Sequence, residues 1–226
     1  MNYFLAVPVA LCCGAAAYCT LNQETADKIK LLHIMGTPAE KTRAMSGTQV
    51  RLLTLLVGIL CYSAAVMLLL HVNGAINRVK MLAALFCIAG AACNDYREQR
   101  IPNIFPLVMA LSGLLCLAAG YLFSQEGAAA YLASSLIATF LVAACMTVAA
   151  LLTGNGIGTG DIKLLCSLAL TGGVYTVGGT LFFGMTVCFF TAVILLVVRK
   201  KTMKESLPFG PFIFIGYIIS IFASVY

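Results

Sequence analysis

Two aspartates carry most of the chemistry that this sequence can offer. Asp161 closes the run "GIGTGD" (Gly156 to Asp161), and Asp95 opens the run "DYREQRIPN" (Asp95 to Asn103). Each stands at the edge of a long apolar stretch, whereas Glu24, Asp27, Glu40, Glu98, Glu126 and Glu205 lie in polar segments and read as solvated. An acid at a membrane boundary costs several kcal/mol to bury unless it is paired or wet, so its presence needs a reason. Two facing carboxylates supply one. At close range both cannot ionise comfortably, so one keeps a proton and the other stays a base. The base can activate water while the protonated partner hydrogen-bonds a peptide carbonyl, with neither metal nor nucleophilic side chain. Asp161 as a simple helix cap is the plainer reading, but a cap does not need Gly156, Gly158 and Gly160 in front of it. Those glycines suit a sharp turn or a close backbone approach.

The elements that must position these acids are membrane helices. The chain has 226 residues, 62% hydrophobic and 10% charged, with a mean hydropathy of +1.01. A soluble domain carries about 25% charged residues. Apolar runs of spanning length recur from end to end, so the expected fold class is all-α, a polytopic membrane protein of about eight transmembrane helices. The expected spans are Tyr3–Thr20, Leu52–Val72, Val79–Cys93, Ile104–Phe123, Ala128–Leu152, Ile162–Val177, Thr180–Val198 and Phe209–Tyr226. The first has no basic segment before it and reads as a retained span. The stretch from Asp161 to Val198 would be about 57 Å long as one helix, against a hydrocarbon core of about 30 Å. A turn is therefore expected within "TGGVYTVGG" (Thr171 to Gly179).

Basic residues set the orientation. With both termini outside, of fourteen lysines and arginines only Arg78 and Lys80 fall in outer loops. Asp95 and Asp161 then arrive together at the cytoplasmic face, which is the main reason to expect a shared site. The net charge of +6 is explained by this topology, and no nucleic-acid partner is expected. The ten cysteines are scattered without a CxxC pair, so no metal site and no cofactor are expected. His33 and His71 fall on opposite sides, which argues against a serine or cysteine triad. Lys163, two residues after Asp161, has three open roles: pairing with an acid, binding lipid phosphate, or snorkelling. Pro208 and Gly210, on either side of Phe209, shape a loop where the last span begins.

Read together, these residues resemble the prepilin peptidase family of GxGD membrane aspartyl proteases. "GIGTGD" followed by "IKL" is similar to the GxGD signature, "DYREQRIPN" to the family's first-aspartate motif, and "PFGPF" (Pro208 to Phe212) to an element near its last span. Presenilin-like relatives fit less well, because Asn94 rather than tyrosine precedes Asp95. The resemblance covers about residues 79–226 and is strongest to the compact tight-adherence and archaeal preflagellin branches. It implies catalytic Asp95 and Asp161, with Gly158, Gly160, Lys163, Arg100, Pro102, Asn103, Pro208 and Gly210 shaping the site or binding substrate. It also implies a pilin-like precursor as partner, its short basic leader removed at the cytoplasmic face of the cell membrane. Long members of the family carry paired CxxC motifs after the first span and also N-methylate their product. Here that position holds residues 21–51 without a cysteine, so methyltransferase activity is expected to be absent. The domain reading is residues 1–75 as a two-span extension with a cytoplasmic loop at 21–51, including a short interfacial helix at Thr25–Met35, and residues 76–226 as a six-span core. A proton- or ion-coupled transporter using Asp95 and Asp161 as a relay is the competing expectation, and a noncatalytic assembly protein a third; a transporter more often holds its acids near the bilayer midplane.

Overall fold

A computed structural model describes residues 47–72, 74–122, 127–154, 157–198 and 208–223. Within them lie six helices and no strand: α1 (Gly47–His71), α2 (Ala75–Glu98), α3 (Ile104–Leu122), α4 (Ala128–Leu152), α5 (Thr159–Val197) and α6 (Gly210–Phe222). Helices are the expected form, because a spanning segment must satisfy its own backbone hydrogen bonds where no water can. Five of the six are long and apolar enough to cross a bilayer. The sixth, α6, has 13 residues, about 20 Å of helix. The expected span Tyr3–Thr20, the interfacial segment Thr25–Met35 and both termini lie outside the described residues, so these residues do not test the count of eight spans or the side on which the termini lie.

Burial separates the helices by role. α2 is the least apolar of the five and the most enclosed, with 61% of its span buried against 22% for α3 and α4. It is the central helix, and it carries Asp95. The outer helices present large side chains outward, among them Leu115, Phe140 and Phe189, as a lipid-facing surface requires.

The turn expected between the sixth and seventh spans takes an unexpected form. α5 runs 39 residues with a single non-helical residue, Gly173, at φ 75° and ψ −173°. Only glycine adopts that backbone readily. The break falls inside the expected stretch Thr171 to Gly179, before the span boundary expected at Val177–Thr180. Neighbours on either side show that the chain reverses there. Before the break, α5 advances alongside α3: Gly160 packs on Ile101, Lys163 bonds Asn103, and Thr171 bonds Met109. After it, α5 runs against α6, with Thr180 beside Gly216 and Gly184 beside Phe212. α6 is itself antiparallel to α2, since Gly210 meets Asp95 while Tyr217 donates to the Met81 carbonyl 2.9 Å away. α3 is likewise antiparallel to α2, with Phe105 at Gly90 and Cys116 near Lys80. The first arm of α5 therefore leaves the Asp95 end of the bundle, and the second returns to it.

One expectation fails in detail. Neither Arg78 nor Lys80 sits in a loop: both lie inside α2, and Lys80 is 3% exposed, with its Nζ 3.6 Å from the centre of the Tyr131 ring. The aromatic face of α4 supplies the favourable electrostatics that water would otherwise give.

Candidate active site

Asp95 lies one turn from the end of α2. The helix closes where Gln99 takes a left-handed conformation, φ 52°, and its N–H bonds the Asp95 carbonyl at 2.9 Å. Arg100, Ile101 and Pro102 then turn the chain into α3; proline cannot continue the helix hydrogen bonds. A carboxylate in the last turn of a helix faces the negative end of the helix dipole, so it needs compensation. α6 provides it. The Gly210 N–H donates to Asp95 Oδ2 at 2.7 Å, and the Phe209 N–H also bonds the carboxyl. These are free donors at a helix start, the usual place for an anion to be held. Asp95 is 5% exposed as a result.

Gly210 is dictated by this approach. A Cβ at position 210 would stand 2.9 Å from the Asp95 Cβ, 3.0 Å from its Oδ2 and 3.3 Å from the Ala92 Cα. Any side chain there must push the two helices apart.

Asp161 sits in the first turn of α5, with Gly158 as the N-cap residue, where the helix dipole favours a negative group. Its Oδ2 lies beside Gly158, 3.1 Å from where a Cβ would be. Its Oδ1 is buried and has no hydrogen-bond partner. The carboxyl is within electrostatic range of Asp95. The two acids, 66 positions apart in the chain, thus converge at one end of the bundle and are unequally served: Asp95 has backbone donors, and one Asp161 oxygen has none.

The turn after Asp95 locks onto the turn before Asp161. Gly160 abuts Ile101, whose Cβ would be 3.0 Å from a Cβ at 160. Lys163 Nζ donates to Asn103 Oδ1 at 3.1 Å. The Lys163 partner is thus an amide oxygen and not the acid that the sequence offered as one possibility. Beside this tie an open groove of about 400 Å³ runs between α3 and α5, lined by Asn103, Pro106, Leu107, Lys163, Cys166 and Ser167. Because the Lys163–Asn103 bond is exposed, it is worth at most about 1 kcal/mol. We expect Asn103→Ala and Lys163→Met each to lower activity only a few-fold, and the pair together to lower it no further; multiplying losses would mean the two residues act separately.

Among the site residues expected from sequence, Asp95 with Gly210 and Lys163 with Asn103 are in direct contact, and Gly158 and Gly160 flank Asp161. Arg100 and Pro102 are exposed on the connecting turn, and Pro208 is half-buried just before α6. Gly156 lies outside the described residues. Ile101 was not foreseen. A lone isoleucine before a proline gives no sequence signal that it will floor a glycine turn sixty residues away. No group of three or more His, Cys, Asp or Glu residues that would hold a metal occurs among the described residues.

A family model described as the type IV leader peptidase family matches residues 81–198, more than half of the chain. The chain belongs to the type IV leader peptidase family. The matched segment runs from α2 through α5 and contains both acids; the α6 turn that contacts Asp95 lies beyond it. No curated protein and no solved structure matches the chain. Membership supports a peptidase and does not favour a transporter.

Proposed function

We propose that the protein is an aspartyl endopeptidase in which Asp95 and Asp161 act as a pair on one water molecule, removing the short basic leader of a type IV pilin-like precursor at the cytoplasmic face of the cell membrane. The observation that carries the reading is the convergence of the two acids within the family-matched segment, with the Asp161 carboxyl in electrostatic range of Asp95. In a pair sharing one proton, negative charge is best carried where N–H donors already point, which is Asp95; the proton then belongs on Asp161. Asp95 takes a proton from water as the water oxygen bonds the scissile carbonyl carbon. Asp161 hydrogen-bonds and protonates the carbonyl oxygen. The resulting tetrahedral gem-diol collapses as Asp95 passes its proton to the amide nitrogen, Asp161 takes one back from a diol hydroxyl, and the C–N bond breaks. The apparent proton affinities belong to the couple rather than to either residue.

The cytoplasmic assignment rests on Arg97, Arg100 and Lys163 standing at the acid-bearing end of the bundle, against Arg78 at the other. A precursor whose leader is basic and whose following segment is apolar would meet that end from the same side. The absence of CxxC pairs in the sequence supports peptidase activity without N-methylation.

The test is reconstitution. The purified protein in liposomes is given a synthetic precursor with a basic leader joined to an apolar helix, and products are read by mass. Two fragments meeting at one peptide bond, with no methyl group on the new amine, are expected. An intact precursor accompanied by ion flux would overturn the reading in favour of transport.

A further inference from the structure

A polar cluster away from the acids lies at the opposite end of the first α5 arm. Lys80 on α2 is buried, with its Nζ 3.6 Å from the Tyr131 ring centre. Cys116 of α3 is also within its electrostatic range. Tyr131 on α4 donates its hydroxyl hydrogen to the Thr171 carbonyl at 3.0 Å. That carbonyl lies two residues before Gly173, where the helical ladder of α5 is broken. A Cβ at Gly173 would be 3.7 Å from the Tyr131 hydroxyl and 3.8 Å from the hydroxyls of Ser134 and Ser135, so the reversal is seated against this face of α4. Thr171 is held from the other side as well, its Oγ1 donating to the carbonyls of Ser167 at 2.8 Å and Met109 at 3.1 Å.

We infer that Tyr131, braced by Lys80, is a positioning residue for the acid pair: it fixes the α5 reversal and thereby sets the direction of the arm that carries Asp161. The inference rests on the acid-pair reading above. A buried cation in a membrane helix points to a function by default, and here its aromatic partner, Tyr131, is the residue that also grips the hinge. From Thr171 to Asp161 is ten helical residues, about 15 Å, so a tilt of about 5° at the clamp moves the Asp161 backbone by about 1.3 Å. A displacement near 1 Å at a reacting group costs up to about a hundredfold in rate. The far end of the arm is held by the exposed Lys163–Asn103 bond, the Gly160–Ile101 contact and the buried Leu164 and Leu165, and the clamp adds the constraint at its hinge end.

Tyr131→Phe keeps the ring and its stacking on Lys80 but removes the bond to Thr171. Lys80→Met keeps the bulk and removes the charge, and Lys80→Arg keeps a cation able to stack on the ring. Assayed per folded molecule in the reconstituted system, Tyr131→Phe and Lys80→Met are each expected to lower kcat on the order of tenfold with KM within about twofold. Lys80→Arg should keep most of the turnover, and Tyr131→Phe/Lys80→Met should be no slower than the slower single variant. A merely structural role would lower the melting temperature and yield but leave kcat per folded molecule at the wild-type value in both; that result overturns the inference. If Tyr131→Phe does not accumulate, Lys80→Met against Lys80→Arg decides it: turnover lost in the first and kept in the second supports the clamp, and wild-type turnover in both overturns it. Asp161→Asn assayed in parallel keeps the two claims apart. An active Asp161→Asn overturns the acid pair, whereas an inactive Asp161→Asn beside a wild-type Tyr131→Phe overturns the clamp alone.

Discussion

Asp161→Asn and Asp95→Asn should each abolish leader removal while leaving the amount and membrane insertion of the protein unchanged. The carboxamide preserves size and much of the hydrogen bonding but neither holds nor takes up the shared proton, so it tests chemistry rather than packing. General acid–base catalysis by a single group is worth about 10²–10⁴-fold, and each aspartate here would serve in both halves of the reaction. The two variants should differ in stability. Asp95 accepts backbone N–H groups from the start of α6, and an asparagine can answer these only through its one carbonyl oxygen. Asp161 Oδ1 has no protein partner to lose. Asp95→Asn is therefore expected to lower the thermal midpoint more than Asp161→Asn, with activity lost in both. The measurement is precursor processing on co-expression, with a thermal unfolding curve for each purified variant. Processing by either variant would contradict the pair mechanism.

The second large effect is expected from a residue with no chemistry of its own. Gly210→Val should reduce processing by at least a hundredfold although both aspartates remain. A side chain at 210 would enter the space of the Asp95 Cβ and Oδ2 and meet the backbone of Ala92. The Asp95 Cβ and the Ala92 Cα are not the free end of a flexible chain, so relief requires α6 to withdraw from α2. Withdrawal takes the Gly210 N–H away from the carboxylate and displaces Asp95 from Asp161, a misplacement of the kind that costs about 10² in rate. Gly210→Ala, with only the Cβ, should be intermediate between wild type and Gly210→Val. Equal activity in all three would mean that α6 does not define the Asp95 position.

The acids were legible because they break a pattern. In a chain this apolar, Asp95 and Asp161 stand at the borders of spans, and the distribution of lysine and arginine puts both borders on one side. Helix existence was legible for the same reason that hydropathy works at all: each span closes its own hydrogen bonds. What the sequence did not disclose is how backbone groups serve side chains. "PFGPF" reads as a shaped turn, but that its glycine N–H would hold the Asp95 carboxylate follows only from the crossing of α2 and α6. Glycine-rich "TGGVYTVGG" announced a reversal without saying which glycine makes it, since several there tolerate positive φ and packing on Tyr131 selects Gly173. Lys80 misled for a different reason. Next to Arg78, near the start of an apolar run, it looks like a loop cation; only the Tyr131 ring, on another helix, makes its burial tolerable.

The central claim is that two acids far apart in sequence occupy one site, and proximity can be measured without any substrate. In a background with the native cysteines replaced, Asp95→Cys and Asp161→Cys are combined and treated in membranes with a bifunctional thiol reagent whose spacer is about the width of one water molecule. After cleavage of the chain between α2 and α5, the two pieces should migrate as one, and Asp161→Cys paired instead with Val79→Cys, at the other end of α2, should not link. Separate pieces from the acid-position pair, under conditions where each thiol reacts singly, would contradict the account.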